Sequence, residues 1–244
     1  MSNPTINDFL VLISGKSAAG KSAALRNLRN PEGVVYLNCE SNKKLPFKSK
    51  FQEFTVTDPF QVLECFDVIK KGELKAHTVV IDSLTFLLDM YESVYVIGSA
   101  NTMAGWQNFQ QYFKTLMQEK VATSGINVIF NAHTADTYNE SEMVTETKVP
   151  VKGALKGNGI EAYFSCVIAA KRVTLKTLEG YKSDLLVITP QEEIDGFKYV
   201  FQTRVTKNTI NERIRSPMAL FTTAETFIDN DVQKLLDHLH SYYE

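Results

Sequence analysis

The chain has 244 residues, of which 44% are hydrophobic, and its formal net charge at pH 7 is −2. A chain of this length and composition can bury one large core, so we expect residues 1–244 to form a single domain. The near balance of charge excludes a global basic field of the kind that binds duplex nucleic acid, and no apolar run reaches the roughly 20 residues that cross a membrane. We therefore expect a soluble, cytoplasmic protein without a membrane partner.

The first predicted element is a strand that leads into a phosphate-binding loop. The apolar segment from Phe9 to Ser14 predicts a buried strand, and residues 20–30 predict a helix. Between them, GKSAAGKS matches G-x-x-x-x-G-K-[ST] at every fixed position. The backbone N–H groups of such a loop surround the α- and β-phosphates of ATP, and the following helix directs its positive end at them. We expect ATP to be bound by Gly15, Lys16, Ser17, Ala18, Ala19, Gly20, Lys21 and Ser22.

Two residues of this loop have expected roles of their own. Lys21 would bridge the β- and γ-phosphates, and the hydroxyl of Ser22 would bind Mg²⁺. The alternative is a chance match in a turn rich in Gly, Ser and Ala. A strand before the loop and a helix after it are the context that the phosphate-binding motif requires.

Strands and helices continue to alternate up to residue 133. Apolar runs predict the strands, and helical spacing with Pro and Gly boundaries predicts the helices. In chain order these are a strand at 34–39, a helix at 59–71, a strand at 78–82, a helix at 104–121 and a strand at 126–133. Residues 83–102 fit a helix or a loop. The alternating order predicts a parallel sheet flanked by helices.

The second half of the chain predicts an antiparallel extension of this sheet. Residues 134–158 are polar and lack a periodic pattern, so we expect a long functional or disordered loop. Strands are predicted in SCVIAAKRV, DLLVITP and KYVFQTRVT, and a terminal helix at 231–243. The predicted fold class is α/β, a P-loop NTPase core with a mainly parallel sheet and an antiparallel hairpin extension. The core spans about residues 9–220, and residues 221–244 form a C-terminal extension.

Polar side chains end three of the predicted strands, at the sheet edge where the phosphates would lie. Asp82 would hold the water shell of Mg²⁺ beside Ser22, although an Asp here can also be a helix N-cap. Glu40 would orient and deprotonate the attacking water, unless it is an ordinary solvated loop residue. Asn131 or His133 would contact the γ-phosphate and report its loss to the following loop. The sequence does not distinguish between these two.

The order of these motifs resembles that of the RecA family of ATPases. VVYLNCE resembles the family's strand that ends in a catalytic Glu, VVIDS its magnesium-binding strand, and VIFNAH its strand that ends in Asn-Gln. GNGIEAYFSCVIAAKR is similar to the segment that leaves the family's second DNA-binding loop, and TRVTKN to a Lys-bearing strand that reaches the neighbouring subunit's nucleotide. The resemblance covers about residues 9–220. One departure is that Ala132 or His133 replaces the family's sensor Gln.

The resemblance implies single-stranded DNA as a partner, bound by loops at residues 90–105 and 134–158. In the second loop, Lys148, Lys152 and Lys156 are expected to contact DNA phosphates. It also implies a homo-oligomer, either a ring or a filament, whose ATP sites lie between subunits. The short core resembles small phage-encoded RecA-like proteins of the Sak type, which act in single-strand annealing and recombination, and a single-strand-binding protein is a further expected partner.

A cation from the neighbouring subunit is expected to complete each ATP site. Hydrolysis develops negative charge on the γ-phosphate, and the phosphate loop itself contains only Lys16 and Lys21. The alternative is that the basic residues concerned are solvated charges that protect a sheet edge. The residues in order of preference are Lys207, then Arg204, then the pair Arg213 and Arg215.

Three functions fit this sequence. The leading hypothesis is an ATPase that oligomerises on single-stranded DNA in recombination or annealing. A ring-type helicase or helicase loader has the same core and is the second hypothesis. The third is a nucleotide-sensing adaptor that binds ATP and scarcely hydrolyses it.

Overall fold

A large sheet with helices on both faces forms the protein, as seen in a computed structural model that describes residues 7–41 and 43–243. The strands are β1 Leu10–Gly15, β2 Val34–Asn38, β3 Gln52–Thr55, β4 Thr78–Asp82, β5 Asn127–His133, β6 Ala135–Asn139, β7 Val144–Lys148, β8 Cys166–Thr174, β9 Phe197–Gln202 and β10 Phe227–Asp229. The α-helices are α1 Phe60–Lys70, α2 Leu84–Tyr91, α3 Thr102–Lys114, α4 Leu155–Asn158, α5 Leu175–Leu178, α6 Pro190–Asp195 and α7 Val232–Tyr243.

Eight strands form the sheet in the order β10-β9-β8-β1-β5-β4-β2-β3. The six strands from β8 to β3 run parallel, whereas β9 and β10 are antiparallel additions at the other edge. The predicted α/β class, with a mainly parallel sheet and an antiparallel extension, is therefore confirmed. Because the strands β1, β5, β4 and β2 are parallel neighbours, their C-terminal residues lie along one edge of the sheet.

Alternate residues of β1 face two different cores. Leu12 packs into the core covered by α1, α2 and α3, whereas Val11 and Ile13 pack into the core covered by α7 and the 3₁₀ turn Ser22–Asn27. All three side chains are fully buried, as expected for a central strand of a parallel sheet. The loop that follows β1 therefore starts from a rigid, buried support.

Helix α7 packs against the turn that follows this loop. Leu235, Leu236 and Leu239 join the second core, and each such buried side chain contributes about 1.5–3 kcal/mol. The guanidinium of Arg29 also donates two hydrogen bonds to the carboxylate of Asp237, at 3.0 and 2.8 Å. The C-terminal helix thus stabilises the side of the fold that carries the phosphate loop.

Two predicted elements differ in the structure. The helix expected at residues 20–30 is only the 3₁₀ turn Ser22–Asn27, because Leu28 adopts an extended conformation and enters the second core. The segment DLLVITP is not a strand: Leu186 and Ile188 pack beside Phe227 in a small separate cluster. The carboxylate of Asp229 accepts a hydrogen bond from the backbone N–H of Val187 there, in place of a strand partner.

The segment expected to be a long unstructured loop contains a hairpin. Strands β6 and β7 pair antiparallel as a separate two-stranded sheet, and Met143 turns the chain between them with a φ of 55°. Most of their side chains are polar, and none is buried, because no core covers this sheet within the described residues. The hairpin therefore has no apolar pattern that would predict it. The other ambiguous segment is helical: α2 continues as a π-helical turn at Glu92–Ile97 before α3 begins.

Among residues 7–41 and 43–243, the helices are all too short or too polar to cross a lipid bilayer.

Candidate functional site

The loop between β1 and the turn Ser22–Asn27 has the backbone of a phosphate cradle. Ala18 and Gly20 have positive φ angles of 59° and 90°, which bend the chain tightly enough to turn successive N–H groups inward. A Cβ on Gly15 would lie 2.7 Å from the carbonyl oxygen of Ala170 on β8. A glycine is therefore required where the loop leaves the sheet.

Lys21 is folded back over this loop. Its Nζ donates hydrogen bonds to the carbonyl oxygens of Gly15 (2.9 Å) and Lys16 (3.0 Å), and the side chain is buried. Burial lowers the pKa of Lys21 to about 8, and the nearby carboxylate of Asp82 opposes this shift only in part. A phosphate bound in the loop would favour the charged ammonium, so the site is electrostatically suited to an anion.

Ser22 and Asp82 form an oxygen-rich group beside the loop. The Oγ of Ser22 donates to Oδ2 of Asp82 at 2.7 Å, and the hydroxyl of Tyr36 donates to the same oxygen at 2.8 Å. The other carboxylate oxygen of Asp82 is buried without a hydrogen-bond partner among the described residues. A hydroxyl and a carboxylate with an unused oxygen are the ligands that Mg²⁺ prefers, so these residues fit that ion. The N-cap of α2 is Ser83 and not Asp82.

Glu40 lies between two nitrogen donors. Its Oε1 is 2.9 Å from Nε2 of His133, and its Oε2 is 2.5 Å from Nζ of Lys43. Burial raises the pKa of Glu40, but the hydrogen bonds from His133 and Lys43 outweigh that effect and lower it to about 2. Because a carboxylate only accepts, Nε2 of His133 carries a hydrogen in this contact, which leaves Nδ1 to face Nζ of Lys21 at 3.5 Å.

The two sensor candidates on β5 have different surroundings. His133 contacts Glu40 and Lys21, and its backbone N–H donates to Oγ1 of Thr85 at 2.8 Å. Asn131 is fully buried between β1 and β4, in register with Asp82, and neither atom of its amide has a hydrogen-bond partner in the part of the chain that the structure describes. The side chain of His133 therefore contacts other predicted site residues through its ring nitrogens, whereas the amide of Asn131 forms no hydrogen bond to them.

A cleft of about 910 Å³ runs over the phosphate loop. It is lined on one side by Lys43, Lys44 and His133, and on the other by Tyr199 and Asn230. Lys43 is a site residue that was not predicted from the sequence, although it stands only three positions after Glu40. Lys43 therefore adds a cation to the cleft besides the lysines of the phosphate loop itself.

The lysines predicted to bind DNA lie outside this cleft. Lys148 is paired with Glu146 at 2.7 Å, and Lys152 with Glu92 at 2.8 Å. Lys156 is exposed in α4. The structure therefore places two of the three lysines in ion pairs within the chain.

The hairpin is attached to the phosphate loop by two contacts. The ammonium of Lys16 binds the carboxylate of Asp136 at 2.7 Å, and the backbone N–H of Thr134 donates to the carbonyl oxygen of Gly15 at 3.2 Å. The phosphate loop and the hairpin segment are therefore in direct contact.

The basic residues expected to reach the ATP site of a neighbouring subunit follow β9 in the chain, and they do not line the cleft. Lys207 is exposed and makes no ion pair within residues 7–41 and 43–243. Arg204 donates to the carbonyl oxygen of Phe221 at 2.8 Å. Arg213 binds Glu146 at 3.3 Å, and the backbone of Arg215 pairs with Val167 of β8.

A family model described as an AAA domain matches residues 8–209. The matched segment contains the phosphate loop and the polar ends of β2, β4 and β5. A search of curated proteins gives no match to the chain.

Proposed function

The chain belongs to the AAA domain family of P-loop ATPases, and from this premise we propose that it binds ATP with Mg²⁺ in the cleft over the phosphate loop and hydrolyses it with Glu40 as general base. The observation that carries the proposal is the chain of contacts from Glu40 through His133 to Lys21. It places a carboxylate beside the lysine that a phosphate loop directs at the β- and γ-phosphates.

Each residue of the site then has a defined task. The N–H groups of the loop and the ammonium of Lys21 bind the phosphates, while Ser22 and Asp82 hold the metal ion. Mg²⁺, when bound, neutralises charge on the phosphate oxygens. Glu40 takes the proton of the water that attacks the γ-phosphate, and His133 orients the carboxylate through its Oε1.

We further propose that the protein acts on single-stranded DNA and hydrolyses ATP as it does so. The process would be recombination or annealing of the Sak type, and a single-strand-binding protein would be a further partner. The support is the attachment of the hairpin at residues 134–148 to the phosphate loop through Lys16 and Asp136. The affinity of the hairpin segment for DNA would then depend on the nucleotide bound in the phosphate loop. A ring-type helicase or loader would use the same attachment and would differ in translocation along the strand.

The proposed assembly is a ring or filament with ATP sites between subunits, where Lys207, or else Arg204, Arg213 or Arg215, would reach a neighbour's γ-phosphate. The exposure of Lys207 is compatible with such a contact. Mixing Lys207→Ala with Lys21→Ala protein tests it, since two inactive variants can form an intact site together only at a shared interface. Full activity of Lys207→Ala alone would contradict the role of this residue.

A nucleotide-sensing adaptor is favoured by one observation. Both oxygens of Glu40 are engaged, so the carboxylate as it stands is a weak base. Two measurements separate the adaptor from the recombination ATPase. They are ATP turnover with and without single-stranded DNA, and the oligomeric state determined by light scattering. Tight ATP binding without turnover would support the adaptor, and DNA-stimulated turnover by an oligomer would support the recombination ATPase.

A further inference from the structure

The turn after β2 is built to return Lys43 to the carboxylate of Glu40. The side-chain oxygen of Asn38 accepts a hydrogen bond from the N–H of Glu40 at 3.0 Å. Its amide nitrogen donates to the carbonyl oxygens of Ser41 (3.1 Å) and Lys43 (2.7 Å). Ser41 has a φ of 56°, which reverses the chain. One asparagine therefore fixes both partners of the ion pair.

The ion pair with Lys43 weakens Glu40 as a general base. Oε1 of Glu40 is taken by His133 and Oε2 by Lys43, and the side chain of Glu40 is only 7% exposed. Each carboxylate oxygen therefore has a nitrogen donor, and a carboxylate that is stabilised in this way is a weak base toward water. The departure of one of the two partners would raise the basicity of Glu40 and so favour hydrolysis.

Lys43 is the partner that can move. Its side chain is 43% exposed and lines the cleft, whereas His133 is held by its backbone at the end of a central strand. A lysine ammonium is a compact charge on a flexible stem, and a terminal phosphate carries more negative charge than a carboxylate. A γ-phosphate in the cleft would compete for this ammonium.

We propose that Lys43 restrains Glu40 until a nucleoside triphosphate binds, and that its ammonium then transfers from the carboxylate to the γ-phosphate. The inference rests on the proposed function, because it assumes ATP in this cleft. Once Oε2 is free, the oxygen of water bonds to the γ-phosphorus and its proton moves to Glu40. The bond from the γ-phosphorus to the bridging oxygen breaks, and ADP leaves with that electron pair. ADP has no γ-phosphate, so with ADP the ion pair persists.

The inference predicts that Lys43 distinguishes ATP from ADP. Binding of AMP-PNP and of ADP, each with Mg²⁺, would be measured by calorimetry for Lys43→Ala, Lys43→Arg and the matched control Lys48→Ala, at an exposed lysine of the same loop that does not line the cleft. We expect Lys43→Ala to bind AMP-PNP about tenfold more weakly while ADP affinity stays within about twofold, because the variant cannot make the charge-assisted hydrogen bond to the γ-phosphate. Lys43→Arg should retain the preference, and Lys48→Ala, which removes the same charge five positions away and outside the cleft, should leave it intact.

The pH dependence of kcat/KM is an independent readout. Lys43 and His133 contact the carboxylate of Glu40, and Lys21, Tyr36 and Cys39 are the other titratable groups near it. Removal of the Lys43 ammonium takes away a hydrogen bond that lowers the pKa of Glu40, so this pKa rises and the acid limb of the profile moves to higher pH. The movement should be absent when Glu40→Gln is combined with Lys43→Ala.

Two different failures are distinguishable. A wild-type protein that binds neither nucleotide contradicts the proposed function, and the inference with it. A different result would contradict only the inference. In that case nucleotide binding depends on Lys21, but Lys43→Ala changes neither the ratio of AMP-PNP affinity to ADP affinity nor the pH profile of kcat/KM. Equal melting temperatures of Lys43→Ala, Lys48→Ala and the wild type would show that neither result reflects unfolding.

Discussion

Glu40 and His133 lie 93 residues apart in the chain, and Nε2 of His133 is 2.9 Å from Oε1 of Glu40. Their strands, β2 and β5, are separated in the sheet only by β4, and all three run parallel. Their C-terminal ends therefore lie at the same edge. Because the other ring nitrogen of His133 faces Lys21 at 3.5 Å, one imidazole connects the proposed base to the phosphate-binding lysine.

Replacing Lys21 by Ala is expected to weaken ATP binding or slow turnover by about 100-fold, because it removes the buried cation that faces the β- and γ-phosphates. Calorimetric titration with AMP-PNP and a turnover assay measure the two effects. Lys70→Ala, at the exposed end of α1, is the control for general loss of charge. Unchanged binding and turnover in Lys21→Ala would disprove the assignment of the phosphate loop.

Glu40→Gln is expected to bind ATP nearly normally and to hydrolyse it at least about 100-fold more slowly. The amide keeps the shape of the side chain but cannot take a proton from water. Single-turnover kinetics separate this effect from binding and from product release. The exposed Glu73 supplies the control variant Glu73→Gln. A turnover rate like that of the wild type would show that Glu40 is not the base.

Asp82→Asn is expected to raise the Mg²⁺ concentration needed for half-maximal turnover by about tenfold or more, because the amide lacks the charge that attracts the ion. The measurement is turnover as a function of free Mg²⁺ at saturating ATP. The buried contacts with Ser22 and Tyr36 also make Asp82 structurally important, so a melting curve must accompany the assay. An unchanged Mg²⁺ dependence in a folded variant would show that Asp82 does not hold the metal ion.

The double variant Lys152→Ala, Lys156→Ala is expected to bind single-stranded DNA more weakly and with a flatter salt dependence. The slope of log K against log salt should decrease by about 0.7 for each phosphate that is no longer neutralised by a lysine. Because Lys152 is paired with Glu92 and Lys156 is exposed, the single variant at Lys156 should account for most of the effect.

Fluorescence anisotropy at several salt concentrations measures both quantities. The exposed lysines Lys70 and Lys71 at the end of α1 provide a matched double control. An affinity and slope equal to those of the wild type would contradict DNA binding by the segment at residues 134–158.

The sequence alone determined the phosphate loop and four central strands of the sheet. Gly15, Gly20, Lys21 and Ser22 stand at fixed positions of a motif whose backbone geometry is local, so eight consecutive residues were sufficient to predict it. Apolar runs likewise marked β1, β2, β4 and β5, because strands buried on both faces must be continuously hydrophobic. The polar residues that end these strands followed from the same pattern.

Only the tertiary structure decided which of these polar residues meet and which cations join them. The contact between Glu40 and His133 depends on β4 lying between β2 and β5, and this neighbour order is not written in any one segment. No local pattern indicates a role for Lys43, because its return to Glu40 depends on three hydrogen bonds of Asn38. The hairpin β6–β7 was not predicted either, because a two-stranded sheet without a core does not require alternating apolar and polar residues. Local patterns determine elements, whereas long-range packing determines their contacts.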